Sequence, residues 1–277
     1  MKKYMTIQEI QSVSLEILKV IADICEEQNL RYYIIYGTLI GAIRHKGYIP
    51  WDDDVDIMMP RPDYEKLLSY LAENMHQYPY LKVFNRDTCQ AYPYMITRIS
   101  DDRYCIEMDN EEPYGMGIFI DIYPYDGLGN TKEEALEYGL KGDHLSSLCY
   151  QATRKRFAIE NTTSTLKKIM KLPVFVYAKI VGKDKFQKKL DALARVKPYD
   201  ESEYVGCVVW LSGGERDMYL KKWFDEYVVV PFEKYEFRVP KEYDVILRHI
   251  YGDYMQLPPE KDRIGHHFYK VYKKEEC

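Results

Sequence analysis

Four aspartates crowd into five positions at Asp52-Asp53-Asp54-Val55-Asp56, and the apolar run Ile57-Met58-Met59 follows at once. Like charges held this close repel unless a cation lies among them. A solvated acidic turn is the plainer reading, but it leaves unexplained why Val55, Ile57 and Met59 alternate with Asp54, Asp56 and Met58. The alternation predicts a strand with acids on one face, Asp54 and Asp56 standing two residues and about 7 Å apart along the backbone. Their oxygens can converge on one or two hard divalent ions such as Mg²⁺, which retain open positions for water or phosphate. That is the geometry a phosphoryl-transfer site requires. A third carboxylate is expected from a neighbouring strand, and Asp121 is the single charge in the apolar stretch Gly117–Tyr123. A buried carboxylate without a partner is costly, so Asp121 faces the metal or a basic residue. Asp126, in Tyr125-Asp126-Gly127, is the competing choice and reads as an ordinary turn aspartate.

The elements that must position these groups follow from spacing. Thr6 to Gln28 carries Ile7, Ile10, Leu15, Leu18, Ile21 and Ile24 near helical spacing, with a capping box at Thr6 and Glu9. Tyr32–Tyr36 predicts a short strand, Gly37-Thr38 a tight turn, and Leu39–His45 a helical piece that stops at Gly47. Strand, small-residue turn and helix in that order make a corner that receives anions. After Pro60 and Pro62 a helix is expected to about Met75, then strands at Leu81–Asn85, Tyr94–Ile99, Arg103–Met108 and Gly117–Tyr123. Thr131 and Glu134 open a further helix that runs past Cys149, and the stretch to Lys197 is helical in composition, broken at Pro173 and Gly182. Strands at Tyr204–Trp210, Tyr227–Pro231 and Tyr235–Val239 and a helix over Lys241–Tyr251 close the chain. The expected division is a catalytic core over 1–150, a basic helical insertion over 151–200, and a segment over 201–277 that completes the catalytic domain.

Composition narrows the function classes. The 277 residues are 46% apolar and 30% charged, ordinary for a globular protein, and no apolar run approaches the ~20 residues that span a bilayer. Gln8, Glu9 and Gln11 interrupt any secretory h-region behind Lys2 and Lys3, so a cytoplasmic protein is expected. Six scattered cysteines write neither a zinc ribbon nor a C-x-x-C site. The net charge of −5 argues against a nucleic-acid partner, yet residues 151–200 hold 13 Lys/Arg against four Asp/Glu. Lysines from Lys167 to Lys189 flank the apolar run Leu172–Ala178, which an ordinary solvated helix or a peripheral membrane contact through 165–190 explains equally well. Tyrosine is the outlier at 28 residues, roughly three times average usage. Tyrosine-rich surfaces suit sugars and quaternary ammonium groups, though most of these rings must pack in the core.

The run YGTLIGAIRHKGYIPWDDDVDIMMPRPDYEKL (Tyr36 to Leu67) resembles the signature of the LicD family of phosphocholine transferases, related to a domain of fukutin-related proteins. FIDIYPYDGL (Phe119 to Leu128) and YGDYMQLPPEKDRIGHH (Tyr251 to His267) are similar to that family's second and C-terminal motifs. The resemblance implies an α/β fold of nucleotidyltransferase type, a mixed sheet flanked by helices, with Asp54, Asp56 and Asp121 as catalytic and metal-binding carboxylates. It implies Mg²⁺, or Mn²⁺ in its place, engaging the diphosphate of CDP-choline or another CDP-alcohol. A hydroxyl of a cell-surface glycan, lipid-linked glycan or teichoic acid precursor would attack the distal phosphorus and release CMP. Gly37 and Thr38 stand where wider members of the fold carry Gly-Ser, still offering a hydroxyl and backbone N–H groups to phosphate. Arg44, ahead of His45 and Lys46, is the expected cation for donor phosphates, since its fork suits phosphate bidentately. Asp121 is expected as third ligand or as proton acceptor. Trp51, Tyr92, Tyr94, Tyr123 and Tyr125 lie near the acid motifs and could cage a trimethylammonium group. His266 and His267 are expected as active-site wall residues or as packing. The competing functions are a nucleotidyltransferase that releases pyrophosphate and a non-catalytic glycan- or metal-binding module.

Overall fold

A computed structural model of the chain describes residues 3–108, 111–157, 165–210, 214–263 and 269–274; His266 and His267 lie outside the described residues. Helix α1 (Ile7–Glu27) opens on the expected capping box, the Thr6 hydroxyl accepting from the Glu9 N–H and the Glu9 carboxylate from the Thr6 N–H. The elements that follow are β1 (Tyr33–Ile34), α2 (Tyr36–Ile40), which continues as a π-helical turn over Gly41–His45, β2 (Asp56–Pro60) and α3 (Arg61–Asn74). Strands β3 (Leu81–Phe84), β4 (Thr97–Asp101), β5 (Tyr104–Met108) and β6 (Ile118–Gly129) come next, then helices α4 (Lys132–Thr153), α5 (Thr165–Val181) and α6 (Lys183–Ala194). The chain closes through β7 (Tyr204–Gly206), β8 (Tyr219–Leu220), β9 (Tyr227–Phe232), β10 (Tyr235–Pro240), α7 (Tyr243–Tyr251) and β11 (Tyr269–Lys273).

This is the expected mixed α/β architecture. Among the described residues the main sheet runs β1-β2-β6-β4-β3, with β7 joined to β6 and β8 to β7. Among the described strands of this sheet only β2 and β6 are parallel. All 12 residues of β6 are buried, which is why its sequence reads as a nearly unbroken apolar run rather than an alternation. Helix α1 lays Ile10, Leu15, Leu18, Ile21 and Ile24 into the core, against β6 and β4. Leu148, Cys149, Ala178 and Phe186 form a small separate cluster that fastens α4, α5 and α6 together.

Several boundaries differ from expectation. Strand β2 begins at Asp56, so Asp54 lies in the segment leading into the strand. Gly37-Thr38 is inside helix α2 rather than in a turn, because the chain reverses one residue earlier, at Tyr36, whose φ is 52°. Strand β6 runs on past Tyr123 and takes Asp126 out of any turn. Helix α5 passes through Pro173; one lost backbone hydrogen bond does not end it when its flank packs on α4 and α6. Strand β11 pairs with β5, a partner more than 150 residues away that no local pattern names.

Candidate active site

The parallel register of β2 and β6 places Asp56 opposite Asp121, and the antiparallel register of β6 and β4 places Asp121 opposite Arg98. Paired residues project to the same side of a sheet, so Asp56, Asp121 and Arg98 form one row across three strands. Arg98 Nε donates to Asp121 Oδ1 at 2.7 Å, and Nη2 lies 3.5 Å from Oδ2. The guanidinium sits 4.1 Å from the Phe119 ring centroid and 4.9 Å from that of Tyr94. Asp121 therefore meets the basic residue that its burial demands. Sequence reasoning missed Arg98, although the signal was the one used for Asp121: a single charge in the apolar stretch Ile96–Ile99.

Asp56 is 6% exposed. Burial pushes its pKa well above the ordinary carboxylate range, and the neighbouring charges of Asp54, Asp121 and Asp52 push it further. Its Oδ1 has no hydrogen-bond partner. A desolvated acceptor facing like charges is what a hard cation would satisfy, so the donor set fits Mg²⁺. The described residues do not hold three or more such ligands already gathered round one point, and the Asp121 carboxylate is turned toward Arg98.

Local sequence shapes this pocket. The Thr38 hydroxyl accepts from the Asp56 N–H at 2.9 Å and so fixes the start of β2, with its own O–H left to donate. Gly37 lets the Asp52 carboxylate come close, since a Cβ there would stand 2.6 Å from Asp52 Oδ2 and displace it. Gln11 of α1 donates to the Asp52 carbonyl at 2.7 Å and anchors the acidic segment. Arg44 does not reach out for a ligand in this arrangement: Nη1 donates to the Tyr254 carbonyl and Nε to His45 Nε2, and desolvation lowers its pKa. Asp126 accepts both Nε and Nη2 of Arg61, at 2.7 and 2.8 Å, and is a buried structural ion pair.

Beside Asp56 opens a cavity of about 320 Å³ whose other walls are Tyr36, Tyr123, Trp210, Ile250, Tyr251, Asp217 and Arg216. Of the five aromatic residues expected to cage a cation, only Tyr123 lines it. Tyr92 and Tyr125 are fully buried core, Tyr94 packs on Trp210 and over Arg98, and Trp51 lies between His45 and the Arg263 guanidinium. The aromatic wall is assembled instead from α2, β6, α7 and the segment around Trp210. Tyr36 and Tyr251 fall within quoted motifs and could have been singled out; nothing in the sequence marks Trp210 or Asp217.

The LicD/FKTN/FKRP, nucleotidyltransferase domain family matches residues 29–144, the segment that contains Gly37, the acidic run, Arg98 and Asp121. Over 273 residues the chain is 34% identical to lipopolysaccharide cholinephosphotransferase LicD of Haemophilus influenzae, covering 98% of this chain and 99% of that protein. An uncharacterized protein of Rickettsia typhi is 41% identical over 63 residues, 22% of this chain and 20% of the relative. With similarity sustained from end to end of the Haemophilus protein, the chain belongs to the LicD family.

Proposed function

We propose that this chain transfers phosphocholine from CDP-choline to a hydroxyl of a cell-surface glycan, of the lipopolysaccharide or teichoic acid kind, and releases CMP. The observation that carries the reading is the contact between two unlike surfaces. Asp56, paired in register with Asp121, lines a cavity whose other walls are three tyrosines, a tryptophan, Ile250, Asp217 and Arg216. Asp56 among its acidic neighbours would suit a divalent cation that neutralises a diphosphate, Arg216 would suit a phosphate, and the aromatic faces would suit a quaternary ammonium. The name of the Haemophilus relative, a lipopolysaccharide cholinephosphotransferase, supports the choline part of the reading.

In this reading Asp54 and Asp56 would hold Mg²⁺, which would neutralise the diphosphate and make the phosphorus more electrophilic. The acceptor oxygen forms a bond to the choline-bearing phosphorus, the P–O bond to CMP breaks, and the hydroxyl proton leaves to a base. Asp121, oriented by Arg98, is the proton acceptor or a third ligand, and Asp121→Asn separates the two roles. Loss of a ligand raises the Mg²⁺ needed for half-maximal rate, whereas loss of a base lowers the rate at saturating Mg²⁺. The test of the whole is CMP release by the purified chain from a panel of CDP-alcohols with Mg²⁺ and a glycan acceptor. CDP-choline should be turned over fastest; pyrophosphate release from a nucleoside triphosphate, or binding without turnover, would overturn the proposal.

A further inference from the structure

Helix α5 is held from one side only. Ala178 is fully buried with Leu148, Cys149 and Phe186, while Leu172, Val176, Tyr177 and Ile180 are 45%, 46%, 53% and 80% exposed. At 3.6 residues per turn these four and Pro173 fall within an arc of about 140°. The outward face of α5 is thus apolar over its described turns, the reverse of a helix that packs its apolar stripe inward. Around it stand the exposed lysines Lys171, Lys179, Lys185, Lys188 and Lys189. From 165 to 190 the chain holds eight lysines against the single acid Asp184.

We infer that α5 docks this protein on an anionic lipid surface, with Leu172, Val176, Tyr177 and Ile180 entering the interface and the flanking lysines at headgroup depth. Apolar area and basic charge together are what interfacial binding needs. A second copy of the chain fits the face less well, because pairing α5 with itself would bring two lysine-rich rims together. The helix does not cross the bilayer: none among the described residues is long and apolar enough. The inference goes beyond the proposed transfer reaction, which does not depend on it.

The test is co-sedimentation of the full chain with phosphatidylcholine vesicles, with or without phosphatidylglycerol, at low and high salt. Binding should require the anionic lipid and weaken with salt. The double variant Lys179→Gln/Lys185→Gln should lower the partition roughly thirtyfold. Val176→Ser/Ile180→Ser, at exposed positions remote from the acid row, should stay in the supernatant while CMP release with a soluble acceptor is unchanged. Recovery of the wild-type chain in the supernatant under every condition would overturn the inference. So would pelleting of the serine variant like wild type, or a lipid-free dimer that the serine variant converts to monomer. Because CMP release is read without vesicles, failure of docking and failure of the transfer reading are separate results.

Discussion

Replacing Arg98 by methionine keeps an unbranched apolar stem and removes the charge that faces Asp121. Arg98 is 5% exposed and Asp121 is 4% exposed, so the carboxylate would be left in the core with Asp56 as its neighbour in register. Breaking a buried pair by deleting one partner costs about 3–5 kcal/mol. For a chain of this length each kcal/mol moves the midpoint by about 2–3 °C, so Arg98→Met should lower Tm by roughly 6–15 °C. Adding Asp121→Asn should recover more than half of the loss, since removing both charges is far cheaper than removing one. Mg²⁺ should raise Tm more in Arg98→Met than in wild type, because a cation among the acids replaces the missing neutralisation. Thermal unfolding of wild type, both single variants and the double variant, each with and without Mg²⁺, measures all three effects. A loss below about 1 kcal/mol, or a double variant whose costs simply add, would show that the strand row is not the electrostatic unit described here.

Asp56→Asn should cut CMP release by at least about a hundredfold, hold or raise stability without Mg²⁺, and abolish the Mg²⁺-induced rise in Tm; near wild-type turnover at saturating Mg²⁺ would remove Asp56 from the site. Asp54→Asn should lose turnover to a similar degree without unfolding, read in the same assays. Asp126→Asn should instead leave turnover per folded molecule close to wild type and cost about 3–5 kcal/mol of stability by stranding Arg61, as chemical denaturation would show. Gly37→Ala should keep the fold within about 1 kcal/mol, alanine being the better helix residue, yet lower turnover because the new Cβ displaces the Asp52 carboxylate; unchanged kinetics would dissociate Asp52 from the site. Trp210→Leu or Tyr251→Leu should raise KM for CDP-choline several-fold more than for CDP-glycerol, and equal effects on the two donors would place the ammonium elsewhere.

Local sequence was enough wherever chemistry and backbone geometry are decided by near neighbours. Four acids in five positions mark Asp52–Asp56 as a candidate cation site on local grounds, because their mutual repulsion is a local quantity. The capping box at Thr6 and Glu9, the helix after Pro60, the hairpin strands β9 and β10 and the family signature over Tyr36–Leu67 are legible for the same reason. Register is not local. Nothing near Asp121 says that β6 lies between β2 and β4, and only that order puts Asp56 on one side of it and Arg98 on the other. The same holds for Asp126, whose neighbours Tyr125 and Gly127 read as a turn until Arg61, 65 residues earlier in the chain, arrives as its partner. The aromatic cavity shows the limit most plainly. Tyr92, Tyr94 and Tyr123 are alike in sequence, and which of them faces the acids is settled by what packs on the other side of each ring. Burial is a property of the assembled core, so the ring that lines the site and the rings that fill the interior part company only when the sheet, α7 and the Trp210 segment close around Asp56.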